Sequence, residues 1–205
     1  MGSNTKIYRE DPAHQFPSPL LDAVVYALAS AAMIVVTVDV MIINRARRSV
    51  FLSKLSAPPQ KGWYWYMGGR RFPGEDARSA MHRKFHQETG LDVDPHRFEF
   101  VTIAEHTFVD REEEPQDVGR HSMAHTYVIE LTADEIETVR RGLDPTEFVE
   151  GFLEEIPIDD VDDEIDPLGI IRDIIDIAFR ETWWKKTMRV IHTFLLRSLG
   201  TTKEP

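Results

Sequence analysis

The chain has 205 residues, of which 42% are hydrophobic and 29% are charged, a balance typical of a globular domain with a full core. Its net charge of −11 argues against a broad nucleic-acid or anionic-membrane surface, because such surfaces need a basic face, yet a small anionic ligand needs only a local cluster of Arg and Lys. Cysteine is absent, which excludes disulfides, a thiol nucleophile and a thiolate zinc site, and a cytoplasmic location fits.

The first part of the chain contains the only stretch that resembles a membrane span, residues 20–43. Asp22 and Asp39 would be costly in lipid, so we divide this stretch into a short helix at 21–30 and a buried strand at 33–43, and we predict no membrane association. Residues 1–19 carry three prolines and no periodicity, and we predict an irregular arm there.

The rest of the chain divides into a domain that ends near residue 157 and a C-terminal segment, 158–205. For the domain, which begins at residue 20, we predict strands at 50–53, 63–67, 98–106, 125–131 and 147–156, and helices at 76–89 and 133–141. The acidic residues 158–166 are interpreted as a solvated linker. A helix then runs from Asp166-Pro167 to about Leu199, and its Trp183-Trp184 pair packs on the domain or at a homodimer contact.

One stretch carries most of the functional information. Residues 68–91 read GGRRFPGEDARSAMHRKFHQETGL and resemble the Nudix box, G-x5-E-x7-R-E-U-x-E-E-x-G-U, in which U is apolar. The matching residues are Gly69, Glu75, Arg83, Phe85, Glu88, Gly90 and Leu91. Two positions depart from the pattern, because Lys84 and Gln87 stand where the family has metal-binding glutamates.

This resemblance implies an α/β fold, the Nudix α/β/α sandwich with a mixed curved sheet and here an appended C-terminal helix. It also implies a divalent cation, Mg²⁺ or Mn²⁺, held against a diphosphate by oxygen ligands. In this chain the implied ligands of a single ion are Glu88, Gln87 and the carbonyl of Gly68. Lys84 reverses a charge beside Glu88, four residues away on one helix face, so its ammonium pairs with Glu88 as an alternative to the metal.

A closer resemblance is to GDP-mannose mannosyl hydrolases, which also lack two box glutamates. Residues 61–70, KGWYWYMGGR, are similar to that family's Q-G-Y-W-F-V-P-G-G-R. The resemblance implies that Arg70 and Arg83 face the diphosphate and leaving group, as bidentate arginine contacts would. Arg71, beside the glycine pair, is a second candidate for binding an anion.

Three further residues are site candidates by the same resemblance. His106 and Tyr127 fall near that family's site histidine and tyrosine and are predicted to bind substrate. The family's general-base histidine has no counterpart, and Glu147 lies in the corresponding stretch as the candidate base.

Three functions follow as hypotheses. The first is hydrolysis of a nucleoside diphosphate linked to another moiety, a nucleotide sugar among them, by Arg70, Arg83, Glu88 and Glu147. The second is a domain that binds such a small nucleotide derivative without cleaving it, which the Lys84 substitution favours. The third is a protein-interaction module that uses the fold only as a surface.

Overall fold

The computed structural model describes Tyr8, Glu10 and residues 21–180. The predicted N-terminal arm lies almost wholly outside the described residues, as do the end of the predicted C-terminal helix and its tryptophan pair. The helices are α1 (Ala23–Ala32), α2 (Ala77–Thr89), α3 (Ala133–Gly142) and α4 (Ile170–Phe179). The strands are β1 (Val35–Asn44), β2 (Ser49–Lys54), β3 (Tyr64–Trp65), β4 (Met67–Arg70), β5 (Glu99–Phe108), β6 (Arg120–Glu130) and β7 (Glu154–Pro157).

Strand β1 is the centre of a mixed sheet. It runs parallel to β6 and antiparallel to β2 and β4, and the strand order is β3-β2-β1-β6-β5, with β4 beside β1 and β7 beside β2. The run VVTVDVMIIN explains this position, because it is rich in β-branched residues, which suit a strand that is buried on both faces. The register sets Gly68 of β4 opposite Asp39 of β1 and Arg70 opposite Thr37.

Each face of the sheet has its own hydrophobic core, as expected for helices packed on both sides of a sheet. One core joins the sheet to α2 and α3 through Met81, Phe85 and Val139. The other joins it to α4 through Ile171 and Ile174. The layers are therefore helix, sheet and helix, in agreement with the predicted sandwich.

Helix α2 carries most of the box, and its ends are fixed by local signals. The side chain of Asp76 accepts a hydrogen bond from the backbone N–H of Ser79 at the N-terminus. At the C-terminus Gly90 adopts a left-handed conformation with φ 68°, which glycine reaches without a Cβ penalty. The helix consequently begins and ends where the sequence predicts, and it holds Lys84 and Glu88 on one face.

Several predicted segments differ from the structure. The helix predicted from Asp166-Pro167 begins at Ile170 and α4 ends at Phe179, and the strand predicted for 63–67 is divided between β3 and β4. The strand predicted for 147–156 is confined to β7, because residues 147–153 instead form turns and one isolated bridge, from Phe148 to Leu55.

The acidic segment 158–166 is only partly solvated. Val161 is buried in the α4 core, and the buried Asp166 carboxylate accepts the Arg172 N–H at the start of α4. Within the described residues, no helix is both long and apolar enough to cross a membrane.

Candidate functional site

A cavity of about 300 Å³ opens beside Gly68 and Gly69, where β1, β4, α2 and β5 come together. Charged side chains form one part of its lining, and an aromatic wall forms another. Of the residues proposed from sequence, the cavity brings together the following set: Gly68, Arg70, Glu88, His106 and Glu147, with Lys84. Arg71, Arg83, Gln87 and Tyr127 do not line it.

The glycine pair leaves room for two charged side chains. A Cβ atom at Gly68 would lie 2.2 Å from Asp39 Oδ1 and 2.7 Å from the Val38 carbonyl oxygen. A Cβ atom at Gly69 would lie 2.5 Å from Lys84 Cε. Any larger residue would therefore displace Asp39 or Lys84, so the close approach requires glycine at both positions.

Lys84 and Glu88 form a buried ion pair at the centre of this site. Lys84 Nζ lies 2.8 Å from Glu88 Oε1, and the two side chains are 15% and 2% exposed. The other carboxylate oxygen, Oε2, accepts the backbone N–H of Gly68 at 2.9 Å. Both oxygens of Glu88 are thus engaged by the protein itself.

Burial changes the protonation of the acids around Lys84. The pKa of Asp39 rises from 3.8 to about 8, chiefly because burial penalises the charged form and secondly because Glu88 repels it, while Lys84 acts in the opposite direction. Burial likewise raises the pKa of Glu88 from 4.5 to about 7, against the attraction of Lys84. Asp39 is therefore mainly neutral at pH 7, and it adds little net charge to the cavity.

The residues present do not fit a resident divalent cation. Such an ion needs several converging oxygen ligands. Glu88 already binds Lys84, and the amide oxygen of Gln87 accepts a hydrogen bond from Arg83 at 3.1 Å. Across the part of the chain that the structure describes, no group of three or more His, Asp or Glu side chains is arranged to hold a metal ion.

Arg83 organises the loop between β4 and α2. Its Nε donates to Glu75 at 2.7 Å, and its NH2 group donates to Glu75 at 2.9 Å and to the carbonyl of Arg70 at 3.0 Å. Its guanidinium also lies 4.0 Å above the ring of Phe72. The guanidinium is therefore committed to the loop, and its link to the cavity passes through the backbone of Arg70.

Arg70 is placed differently from its neighbours. Its guanidinium carbon lies 4.1 Å from the centre of the Tyr26 ring and 5.3 Å from that of Phe72, and it lines the cavity. Among residues 21–180 no carboxylate lies within ion-pair distance of it. Arg71, by contrast, donates to the Glu75 carbonyl and lines a neighbouring apolar groove.

The aromatic wall consists of Trp65, His106 and Phe108. The ring of Trp65 meets His106 and Phe108 edge-on, with centroids 5.8 Å and 6.1 Å away. Burial lowers the pKa of His106, and its Nε2 atom has no hydrogen-bond partner among the described residues. Tyr127 instead packs in the core against Phe98 and Phe100, away from the cavity.

Asp39 is one of several site residues that were not functional candidates from sequence, with Tyr26, Phe108 and Glu112. For Asp39 the signal was present, because an acid inside the apolar run VVTVDVMII demands a specific local environment. Glu147, in contrast, is a predicted candidate and does line the cavity, where partial desolvation raises the pKa of its carboxyl. The acids around Lys84 therefore come from a strand, a helix and a late loop.

A helix–sheet–helix domain with a glycine pair, an arginine loop and a box helix defines a recognisable class of protein, and comparison with known proteins agrees. The family model of the NUDIX domain matches residues 33–174, more than half of the chain. The chain belongs to the Nudix family.

Solved structures share this fold at low sequence identity. A MutT NUDIX hydrolase from Burkholderia pseudomallei is 18% identical with a TM-score of 0.52, covering 71% of this chain and 98% of that one. A NUDIX hydrolase from Nitrosomonas europaea is 19% identical with a TM-score of 0.50, covering 70% and 88%. A MutT protein from Methanosarcina mazei Go1 is 16% identical with a TM-score of 0.50, covering 69% and 90%.

These likenesses confirm the predicted α/β fold with its mixed sheet. None of the curated protein sequences compared with this chain matches it. The resemblance to GDP-mannose mannosyl hydrolases stays a prediction from sequence, as do the homodimer and the cytoplasmic location.

Proposed function

We propose that this Nudix domain binds a nucleoside diphosphate derivative in the cavity, with the phosphates against Arg70. The observation that supports this most directly is the position of Arg70, a residue of the cavity lining whose guanidinium stacks on Tyr26 and forms no ion pair with a described carboxylate. A planar guanidinium offers two parallel N–H donors to phosphate oxygens. Stacking on Tyr26 limits its conformational freedom before the ligand arrives, which reduces the entropy lost on binding.

The other charges of the cavity favour a ligand that also carries hydrogen-bond donors. Arg120 is paired with Glu113 through two contacts of 2.8 and 3.0 Å, and Lys84 is paired with Glu88. The carboxylates of Glu112 and Glu147 then remain in the lining. Carboxylates accept hydrogen bonds from hydroxyl and amino groups, so a sugar or a base attached to the diphosphate suits them.

The aromatic wall supports the same class of ligand. Trp65, His106 and Phe108 line the cavity side by side, and a nucleobase can pack on aromatic rings of this kind. His106 Nε2 is buried and has no hydrogen-bond partner within the described part of the chain, so a small movement of the ring would be needed for it to bond a ligand. A nucleotide derivative can meet all three parts of the cavity. Its phosphates would bind Arg70, its hydroxyl or amino groups would donate to the carboxylates, and its base would pack on the aromatic rings.

Calorimetric titration in EDTA with GDP and a GDP-hexose tests this proposal. We expect the wild type to bind at least one of them, and Arg70→Ala to weaken binding by about tenfold or more, because a charge-assisted bidentate contact is lost. Arg47→Ala is the matched control, since Arg47 lies in the β1–β2 turn and outside the cavity lining. If neither nucleotide binds, or if both variants bind alike, the proposal is wrong.

Hydrolysis is a second candidate, supported by Glu147. Its carboxyl lines the cavity and partial desolvation raises its pKa, which makes it a stronger general base. Chromatography of nucleoside diphosphate sugars incubated with the protein tests this candidate. If the domain is a hydrolase, Glu147→Gln should lose turnover and keep ligand affinity, whereas an unchanged product level would exclude Glu147 as the base.

A further inference from the structure

We propose that the Lys84 ammonium is the permanent cation of this site and takes the place of the divalent ion that a Nudix box otherwise holds. Lys84 stands where the box has a glutamate, one helical turn before Glu88. Its Nζ atom lies 2.8 Å from Glu88 Oε1. The group that would receive a metal therefore holds a covalently attached cation instead.

The surrounding backbone is shaped for this lysine. At Gly69 a Cβ atom would lie 2.5 Å from Lys84 Cε and 3.0 Å from Nζ, so the side chain passes directly over the glycine. Glu88 in turn accepts the N–H of the adjacent Gly68. Glu88 therefore binds the backbone of the glycine pair, and Lys84 packs against it.

The groups around Lys84 are those of a cation site. The Glu88 carboxylate contacts the Lys84 ammonium, and Asp39 and Glu147 belong to the same cavity lining. These acids come from β1, α2 and the loop after α3, and all three line the cavity. A divalent cation in the same place would meet the ammonium at short range, where repulsion in a poorly solvated site is strong.

An ordinary helix surface pair does not account for this arrangement. Lysine and glutamate four residues apart are frequent on exposed helices, where the pair contributes a few tenths of a kcal/mol. Here Glu88 is 2% exposed and Lys84 15% exposed. Removing the lysine would leave a buried carboxylate without its cation, so Lys84 is a positioning residue of the site.

Titration with Mn²⁺ in the absence of any nucleotide tests the inference, with free Mn²⁺ followed by electron paramagnetic resonance. We expect no binding by the wild type up to millimolar Mn²⁺, and we expect EDTA to leave its melting temperature unchanged. Lys84→Glu should bind Mn²⁺ at least about tenfold more tightly than the wild type, because the change returns an oxygen ligand and removes the ammonium. Its melting temperature should rise with added Mn²⁺.

Arg141→Glu is the charge-matched control. It makes the same charge reversal at an exposed position at the end of α3, where the Arg141 side chain donates only to the Glu137 carbonyl in the described contacts. If it gained Mn²⁺ binding equal to that of Lys84→Glu, the effect would be one of net charge, and the inference would fail. It would also fail if the wild type bound Mn²⁺ tightly, or if a folded Lys84→Glu protein bound none.

The wild-type titration needs no variant. Even if Lys84→Glu does not fold, tight Mn²⁺ binding by the wild type would contradict the inference. In that case Glu88→Gln provides a second comparison. We expect that Glu88→Gln, like the wild type, does not bind Mn²⁺. If Glu88→Gln abolished a Mn²⁺ signal present in the wild type, Glu88 would be a metal ligand, and Lys84 would not replace the ion.

One consequence rests on the proposed function. If the domain binds GDP, the affinity should be equal in EDTA and in Mg²⁺, because the site supplies its own cation. Failure of GDP to bind would count against the proposed function and leave the Mn²⁺ result intact. If GDP bound only in the presence of Mg²⁺, the inference about Lys84 would be wrong, and the proposal that the domain binds a nucleoside diphosphate would stand.

Discussion

The box helix carries two ion pairs that differ in burial and in purpose. On the side of the loop Arg83 pairs with Glu75, and these side chains are 23% and 22% exposed. On the side of the cavity Lys84 pairs with Glu88, and Glu88 is 2% exposed. Consecutive residues on one helix thus point a guanidinium toward a loop and an ammonium toward a buried cluster of acids.

Comparison of the two pairs with the Nudix box pattern shows which part of the box is present in this chain. Glu75 and Arg83 match the family pattern and still tie the loop to the helix. Lys84 departs from the pattern, and there the buried pair replaces the ligand set that a divalent ion needs. The scaffold of the box and its metal chemistry are therefore separable, because different residues serve them.

The largest expected effect is at the buried pair. Lys84→Met should lower the free energy of unfolding by about 3 kcal/mol, since Glu88 loses its cation and must either stay charged in a buried site or take up a proton on folding. Urea denaturation at neutral pH measures this. The double variant Lys84→Met with Glu88→Gln should recover part of the loss, because it removes both charges. A loss below about 1 kcal/mol would instead place the pair in the class of exposed salt bridges.

A smaller effect is expected in the pH dependence of stability, through Asp39. Its pKa in the folded protein is about 8 and its ordinary value is 3.8, so between these two pH values the folded state retains a proton that the unfolded chain has released. The contribution of Asp39 to stability therefore falls as pH rises through this window. Asp39→Asn cannot ionise and should remove this part of the slope.

Urea denaturation of the wild type and of Asp39→Asn at about pH 5.5 and about pH 7.5 measures this effect. Between these pH values we expect the free energy of unfolding of the wild type, relative to that of Asp39→Asn, to fall by about 2 kcal/mol. The lowered pKa values of His106 and His125 give a slope of the opposite sign, which is present in both proteins and cancels in the comparison. Parallel slopes in the two proteins would show that Asp39 is ionised in the folded state at both pH values.

Local rules predicted the helix and its pair, whereas long-range register determined the rest of the site. The caps of α2 at Asp76 and Gly90, and the contact of Lys84 with Glu88, follow from spacing within one helix. Asp39 enters the site only because β4 pairs with β1 so that Gly68 faces it. No window of sequence around Asp39 contains that pairing.

Strand and loop candidates show the same limit. The family resemblance predicted that Tyr127 binds substrate, but the structure packs its ring in the core against Phe98 and Phe100, away from the cavity lining. Glu147 was expected in a strand, and turns that begin at Asp144 carry it to the cavity. The resemblance identified both candidates, and only the three-dimensional arrangement could separate them.

The smallest expected effect on stability is at the pair of Arg83 with Glu75. Arg83→Met removes a partly exposed pair and the stacking on Phe72, and it should cost about 1 kcal/mol in urea denaturation, because solvent already screens these charges. Its effect on ligand binding should be clearer, since Arg83 donates to the carbonyl of Arg70 and so fixes the backbone of the proposed phosphate contact. We expect GDP affinity to fall several-fold, and Arg83→Lys, which keeps the positive charge and an N–H donor group, to recover part of it. A stability loss as large as that of Lys84→Met would show that the two pairs stabilise the fold equally, and the contrast between the partly exposed and the buried pair would then be wrong.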